Sequence, residues 1–75
     1  MVTSSATEPS ATNHVRRFRR TADLTQAQLA TDVGVSRQTI VSIERGDYGP
    51  SVYLALAIAR RLDTTVESLF GDTEY

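Results

Sequence analysis

The segment between Ser36 and Arg45 carries hydrogen-bonding side chains on one side of a predicted helix. Ile40 and Ile43 are spaced to point inward, so the hydrogen-bonding side chains opposite them fall on the outward face. Arginine can donate two hydrogen bonds to guanine, glutamine can pair with adenine, serine and threonine suit either, and a valine methyl can contact thymine. The segment therefore predicts base recognition in duplex DNA by five residues: Arg37, Gln38, Thr39, Val41 and Ser42.

Ordinary solvation is the alternative explanation for this polar face. Each arginine or glutamine alone is as well explained by solvation as by base recognition. A face that meets only water does not need Val41, and the full set on one short helix favours base recognition.

Three residues near helix ends have the chemistry of phosphate ligands. Gln26 and Ser36 stand where predicted helices begin, and free backbone N–H groups and the positive end of the helix dipole favour an anion there. Arg45 adds a cation at the end of the polar segment. We therefore predict phosphate contacts for Gln26, Ser36 and Arg45. Three other arginines lie on the outer side of the first predicted helix, where they could strengthen the basic field, but a charged run of this kind is interpreted as a solvated face: Arg16, Arg17 and Arg20.

Arg19 and Glu44 are charged residues at positions where the pattern expects apolar side chains. Arg19 follows Val15 by four residues on the inner stripe of the first predicted helix, and Glu44 follows Ile40 by four on the third. An unpaired buried charge is costly. We therefore predict a structural ion pair between Arg19 and Glu44 that joins the two helices. The alternative is that both side chains extend outward to solvent.

Capping and terminating residues predict five helices and no strand. Each apolar repeat of period three to four follows an Asn, Ser or Thr that can cap a helix: Asn13, Thr25, Ser36, Ser51 and Thr65. Gly34 and Gly46 follow the second and third repeats, where a left-handed residue often ends a helix. The alternating polarity that is typical of a strand does not occur.

Each predicted helix has an inner apolar face. In the first helix Ala22 continues the stripe of Val15 and Phe18, and in the fourth Val52 and Leu56 widen the face. We expect these faces to pack into a single core.

The second and third predicted helices are separated only by Gly34 and Val35 with their caps. Two helices joined by a turn of three to four residues that contains glycine are typical of a helix-turn-helix, whose second helix enters the major groove of DNA. The predicted fold class is all-α, a compact five-helix bundle with its helix-turn-helix at about residues 25–44.

Length and composition limit the chain to one small domain. The chain has 75 residues, and residues 1–12 are rich in Ser, Thr, Ala and Pro, which predicts a flexible tail. We predict a folded domain over 13–70 and a short tail over 71–75. The sequence has no cysteine, no apolar run of about 18 residues and no signal-peptide pattern. We therefore expect a soluble cytoplasmic protein without a disulfide or a membrane span.

The formal net charge of −1 is unevenly distributed along the chain. Residues 13–45 hold six arginines against three acids, or +3, and residues 46–75 hold two arginines against five acids, or −3. All cations are arginine, which favours bidentate recognition of phosphate and guanine, although genomic base composition is the stronger explanation of this usage.

The sequence gives little support for a catalytic function. His14 is the only histidine, and it stands beside the predicted tail with no cysteine to pair with. No metal-ligand spacing, phosphate-binding loop or nucleophile elbow occurs in the sequence. We therefore predict no catalytic residue, no metal site and no cofactor.

The chain resembles the helix-turn-helix family of the phage Cro and CI repressors and the bacterial xenobiotic-response-element regulators in four consecutive segments: "LTQAQLA", "VGVSRQTIVSIERG", "GPSVYLALAIARRL" and "TTVESLF". The resemblance covers roughly residues 13–70. It implies the five-helix fold of the lambda-repressor-like DNA-binding domains.

The resemblance also implies roles for particular residues. Gln26 would contact phosphate, and four residues of the third helix would face the groove: Arg37, Gln38, Thr39 and Ser42. Some family members pair an arginine of the first helix with the glutamate of the third, here Arg19 and Glu44. Asp23 and Asp63 stand where glycine is common after the first and fourth helices, and aspartate tolerates the left-handed conformation at some cost.

The predicted function is a sequence-specific regulator of transcription, a repressor that binds double-stranded DNA as a homodimer. One short helix reads only a few base pairs, so two copies on a palindromic operator, with half-sites about 34 Å apart or a multiple of that, supply useful specificity. The expected dimer surface consists of apolar residues near the C-terminus: Tyr53, Ala57, Leu69, Phe70 and Tyr75. The alternative is a protein-binding module, such as an antitoxin or regulatory subunit, that holds a protein partner with its acidic second half.

Overall fold

The computed structural model describes residues 13–71, which form five α-helices joined by short turns. The helices are α1 Val15–Thr21, α2 Gln26–Val33, α3 Arg37–Arg45, α4 Val52–Arg61 and α5 Val66–Phe70. No strand occurs within residues 13–71. The all-α, five-helix fold class is confirmed. The tail proposed for 1–12, and all of the tail proposed for 71–75 except Gly71, lie outside the described residues.

Side-chain caps begin four of the helices. The hydroxyl oxygen of each cap accepts the backbone N–H three residues further on, which satisfies a donor that the first helical turn leaves unpaired. The caps are Thr25, Ser36, Ser51 and Thr65. At Thr25 the capping box is complete, because Gln28 Oε1 accepts the Thr25 N–H at 2.8 Å. These four predicted helix starts are confirmed.

Asn13 supports the start of α1 differently from a simple cap. The helix begins after His14, and Asn13 Oδ1 accepts the Val15 N–H at 3.1 Å. Asn13 Nδ2 donates to the Ile43 carbonyl oxygen at 2.8 Å, and the His14 N–H donates to the Leu69 carbonyl oxygen at 2.8 Å. The start of α1 is therefore tied to both α3 and α5.

Four helices are followed by a residue with a left-handed backbone. Gly34 and Gly46 have φ of 81° and 82°, and Asp23 and Asp63 have φ of 64° and 57°. At each of these ends, the N–H groups of this residue and of the next one bond back to the last helical turn, as in a Schellman motif. Aspartate thus takes the place of glycine after α1 and α4, with a torsional cost that glycine would avoid.

Every helix contributes at least one fully buried side chain to the core. Full burial of one such large aliphatic side chain is worth about 1.5–3 kcal/mol. The fully buried set is Val15, Leu29, Ile40, Ile43, Ile58 and Leu69. At the surface, Arg61 Nε lies 2.6 Å from Asp32 Oδ2 and joins α4 to α2.

Three apolar residues that were expected in the core are exposed. Val52 is 71% exposed and Leu56 is 39% exposed, and Ala22 is exposed as well. At 3.6 residues per turn, Val52 and Leu56 lie about 120° and 200° around α4 from Ile58, so neither shares its inward face. Ala22 follows the last residue of α1 and has left the helical stripe. The inner faces of α1 and α4 are therefore narrower than predicted.

Arg19 and Glu44 lie together in the interior, between α1 and α3. They are only 8% and 5% exposed. Arg19 Nε donates to Glu44 Oε2 at 2.6 Å, Nη2 donates to Oε1 at 3.3 Å, and Nη1 donates to the Leu24 carbonyl oxygen at 2.7 Å. Within residues 13–71, no buried side-chain nitrogen or oxygen lacks a hydrogen-bond partner. Both charges are therefore compensated, as a buried ion pair requires.

Loss of one partner of this pair is expected to be more damaging than loss of both. Arg19→Met or Glu44→Leu alone leaves a buried unpaired charge and should lower the free energy of unfolding by ~3–5 kcal/mol. The double variant buries no charge and should recover much of that loss. Urea unfolding followed by circular dichroism measures all three proteins; strictly additive losses would contradict the buried pair.

Backbone torsion should determine the effect of substitutions at the helix ends. A Cβ added at Gly34 would meet no atom within 4 Å, so Gly34→Ala isolates the cost of the left-handed conformation. We expect that cost to be ~1–2 kcal/mol. Asp63→Gly should stabilise the protein by a smaller amount, because the more flexible unfolded chain offsets part of the gain. Thermal unfolding measures both changes. A Gly34→Ala protein more stable than the wild type, or an Asp63→Gly protein less stable than the wild type, would contradict the torsional explanation.

Candidate nucleic-acid interface

The turn between α2 and α3 arranges these helices as a helix-turn-helix. Gly34 ends α2 in the left-handed conformation, Val35 packs against the core, and Ser36 caps α3. Because α3 is held from behind, only its inner edge is buried. That edge consists of Ile40, Ile43 and Glu44.

The outer face of α3 is accessible to a ligand. Its exposed residues are Arg37, Gln38 and Arg45, and its half-buried residues are Thr39, Val41 and Ser42. The residues for which the sequence predicts base contacts therefore lie together on one helix. Gln26 and Ser36 adjoin them, through hydrogen bonds to Arg37 and to Thr39 respectively.

A chain of hydrogen bonds runs from the buried ion pair to this outer face. Gln26 Nε2 donates to Glu44 Oε1 at 3.1 Å, and Arg37 Nη2 donates to Gln26 Oε1 at 3.1 Å. Arg19 occupies the interior end of the chain through its pair with Glu44. The guanidinium of Arg37 is thus joined by one exposed hydrogen bond to a side chain of α2.

Other polar side chains of α3 make local contacts. Ser36 Oγ accepts the Thr39 N–H at 3.2 Å and lies 3.0 Å from the Thr39 hydroxyl oxygen. Gln38 Nε2 donates to Ser42 Oγ at 3.4 Å. These contacts are exposed, so groups of a bound ligand can replace them at little net cost.

Two residues that the sequence did not single out adjoin the predicted base-contact residues beside α3. Asp47 and Tyr48 line a shallow depression together with Gln38, Thr39 and Ser42. Asp47 also forms an exposed ion pair with Arg45, in which Asp47 Oδ2 lies 3.4 Å from Arg45 Nε. The available signal was their position directly after α3, in the turn that leads to α4.

Arg16 was interpreted from the sequence as part of a solvated face, but it lies beside the residues predicted to contact DNA. It lines a second depression, which also includes Gln26, Val41 and Arg45. Arg16 precedes Arg19 by three residues, so the two side chains lie on neighbouring positions of α1. Because Arg19 turns inward to Glu44, Arg16 falls at the rim where α1 meets α3.

Exposed apolar side chains lie on α4 and in the turn before it. Tyr53 is 84% exposed, Val52 71%, Tyr48 48% and Leu56 39%. Val52, Tyr53 and Leu56 are spaced by one, three and four residues, so they share one side of the helix. We call Val52, Tyr53 and Leu56 the α4 patch.

The predicted dimer surface needs one correction. Leu69 is fully buried, because α5 packs its apolar side against α1 and α4. Ala57 and Phe70 are half-buried, and Tyr75 lies outside the described residues. Of the predicted set, Tyr53 alone is exposed within residues 13–71.

Neither a metal-binding cluster nor a membrane span occurs in the described part of the chain. Among residues 13–71, no three His, Cys, Asp or Glu side chains are grouped so that they could hold a metal ion. None of the five helices in that range is long and apolar enough to cross a bilayer.

The chain is similar to known helix-turn-helix proteins in sequence. The helix-turn-helix family model matches residues 15–69. An uncharacterized HTH-type transcriptional regulator of Archaeoglobus fulgidus is 48% identical over 56 residues, which cover 75% of this chain and 80% of that protein. The immunity repressor protein of Bacillus phage phi105 is 34% identical over 58 residues, which cover 77% of this chain and 40% of the repressor.

The similarity extends to the three-dimensional structure. The crystal structure of the restriction-modification controller protein C.AhdI from Aeromonas hydrophila matches with a TM-score of 0.74 and 29% sequence identity. The match covers 87% of this chain and 98% of that protein, so it includes much more than α2 and α3. The family resemblance predicted from the sequence is confirmed, and the chain belongs to the helix-turn-helix family of the Cro/CI type.

Proposed function

We propose that this chain is a sequence-specific transcriptional regulator that binds double-stranded DNA with α3 in the major groove. The observation that carries the proposal is the accessible outer face of α3, backed by a buried edge that holds the helix in place. An α-helix fits the major groove, and the side chains of this face match the donors, acceptors and methyl groups presented there. The names of the related proteins support the same function.

The residues of the interface divide into two roles. Base contacts are proposed for Arg37, Gln38, Thr39, Val41 and Ser42, which select the sequence. Phosphate contacts are proposed for Gln26, Ser36 and Arg45, which fix the position and orientation of the domain on the duplex. Arg16 joins the phosphate set, because it lines the same depression as Gln26 and Arg45.

The proposal includes two copies of the chain on a palindromic operator. α3 has only nine residues, so one copy reads few base pairs, and a second copy about 34 Å away along the duplex would read the rest. The α4 patch is the proposed contact between the copies, because clustered exposed apolar residues commonly mark an interaction surface. A role as a repressor is proposed from the similarity to the phage immunity repressor.

A protein-binding module remains the second candidate, and the α4 patch is the observation that favours it. A partner protein could cover Val52, Tyr53 and Leu56 as well as a second copy could. This alternative leaves the donor-rich outer face of α3 without a function, so DNA binding explains more of the surface. Neither proposal involves catalysis or a cofactor.

Three arginine variants should separate base contacts from phosphate contacts. Arg37→Ala should lose ~1–3 kcal/mol of binding free energy on the preferred duplex and relax the preference at one base position in each half-site. Arg45→Ala should weaken binding to all duplexes equally and reduce the slope of log K against log salt by about 1. Arg60→Ala also removes one positive charge, from an exposed position of α4 away from α3, and serves as the control.

The measurement begins with selection of preferred sites from a random duplex pool, followed by fluorescence-anisotropy titrations at several salt concentrations. Unchanged affinity and unchanged base preference in Arg37→Ala would refute the assignment of α3 to the groove. Absence of any selected sequence with the wild-type protein would refute sequence-specific binding itself.

Substitution in the α4 patch should change the oligomeric state but not the fold. Tyr53→Asp places a charge in an exposed apolar surface, so we expect it to weaken association without lowering thermal stability. Sedimentation equilibrium should show a dimer for the wild type and a monomer for the variant at the same concentration, with Arg17→Ala, at an exposed position of α1, as control. A wild-type protein that stays monomeric, both free and on a selected palindrome, would favour a different partner for the patch.

A further inference from the structure

Asp47 places an exposed carboxylate beside residues that are proposed to contact bases. It lines the same depression as Gln38, Thr39 and Ser42, and 59% of its side-chain surface is accessible. The charged residues already assigned to the DNA interface are all arginines. Asp47 therefore adds a charge of the opposite sign, which repels DNA phosphates. An acid in this position needs an explanation other than attraction to the DNA backbone.

The backbone of Asp47 is held against the third helix. Gly46 ends α3 with φ of 82°, and the Asp47 N–H then donates to the Ser42 carbonyl oxygen at 3.0 Å. This hydrogen bond places Asp47 next to the helical turn that carries Ser42. Because the bond uses only main-chain atoms, it is retained when the side chain at position 47 changes.

Arg45 compensates part of the charge of Asp47. Arg45 Nε lies 3.4 Å from Asp47 Oδ2, and both side chains are mostly exposed. The contact leaves the two Nη groups of Arg45 for a phosphate and Asp47 Oδ1 for another donor. The two side chains can therefore meet different parts of a duplex at the same time.

An ionised carboxylate can only accept hydrogen bonds, so it distinguishes the four bases in the major groove. Guanine presents two acceptors there, and thymine presents an acceptor and a methyl group. Adenine has a donor at N6, but the acceptor N7 stands beside it. Cytosine presents only the N4 amino group, which is a donor. Cytosine is therefore the base edge that suits a carboxylate best.

We propose that Asp47 is a specificity-determining residue that accepts a hydrogen bond from the N4 amino group of one cytosine in each half-site. The same carboxylate selects against guanine and thymine, because it repels their acceptor oxygens. This inference rests on the proposed function and extends it. It adds to the interface a residue that lies beyond the end of α3, and it states which base that residue recognises.

Two variants at position 47 should lose this base preference in different ways. Site selection from a random duplex pool with Asp47→Ala should relax one position of the half-site, distinct from the position that Arg37→Ala relaxes. At that position the ratio of affinities for cytosine and the next best base should fall on the order of tenfold. Asp47→Asn should newly tolerate guanine or thymine there, because its amide can also donate a hydrogen bond.

Glu67→Gln is the matched control for the loss of charge. It removes one negative charge from an exposed position of α5, so it should retain the wild-type base preference. Both variants at position 47 should fold, because the side chain is exposed and the backbone bond to Ser42 is kept. Asp47→Asn also preserves the shape of the side chain, so it tests the inference even if Asp47→Ala folds less well.

A change in the DNA tests the proposed hydrogen bond itself. In the selected duplex, the cytosine at the relaxed position is replaced by 2-pyrimidinone, which lacks the N4 amino group, opposite the same guanine. The wild-type protein should lose on the order of tenfold in affinity for this duplex, and Asp47→Ala should lose much less. Any weakening of the duplex itself affects both proteins alike and cancels in the comparison.

The outcomes distinguish failure of this inference from failure of the proposed function. If Asp47→Ala and Asp47→Asn bind all duplexes more tightly by one factor, with an unchanged base preference, the carboxylate only repels phosphate and the inference is overturned. Equal losses of the wild type and Asp47→Ala on the 2-pyrimidinone duplex would overturn it as well. In both cases sequence-specific binding by the wild type still stands. A wild-type protein that selects no duplex overturns both proposals.

Discussion

The buried pair of Arg19 and Glu44 is the interaction on which the rest of this structure depends. It joins α1 to α3 in a small domain, and it is satisfied because Arg19 also donates to the Leu24 carbonyl oxygen and Glu44 also accepts from Gln26. A buried pair adds little net stability over apolar residues of similar size, but separation of its partners is strongly unfavourable. The placement of α3 is therefore determined by charge as well as by shape.

One edge of α3 is buried in the core, and its opposite side faces solvent. Ile40, Ile43 and Glu44 are buried, while the opposite side of α3 presents polar groups within reach of a ligand. Gln26 links the two edges through its contacts with Glu44 and Arg37. A change at the buried Glu44 carboxylate would therefore also alter the hydrogen bonds of Gln26 beside the exposed face of α3.

Most of the fold could be predicted from local signals in the sequence. The contacts within the candidate site could be predicted only in part. Caps such as Ser36 and left-handed ends such as Gly34 act within one turn, so a single sequence is enough to predict them. Periodicity did not predict the outward position of Leu56, because α4 carries apolar residues on both sides and its packing partners decide which side is buried. The contact of Gln26 with Arg37 depends on side-chain conformations of two helices, which no spacing along one helix can predict.

The most direct test of the account is a map of amide chemical-shift changes when the labelled protein is titrated with a duplex selected from a random pool. If the outer face of α3 enters the groove, the largest changes occur from Ser36 to Ser42 and at the start of α2, with small changes in α5. Largest changes in α4 or α5, with those of α3 unaffected, would contradict the central claim that α3 reads the bases.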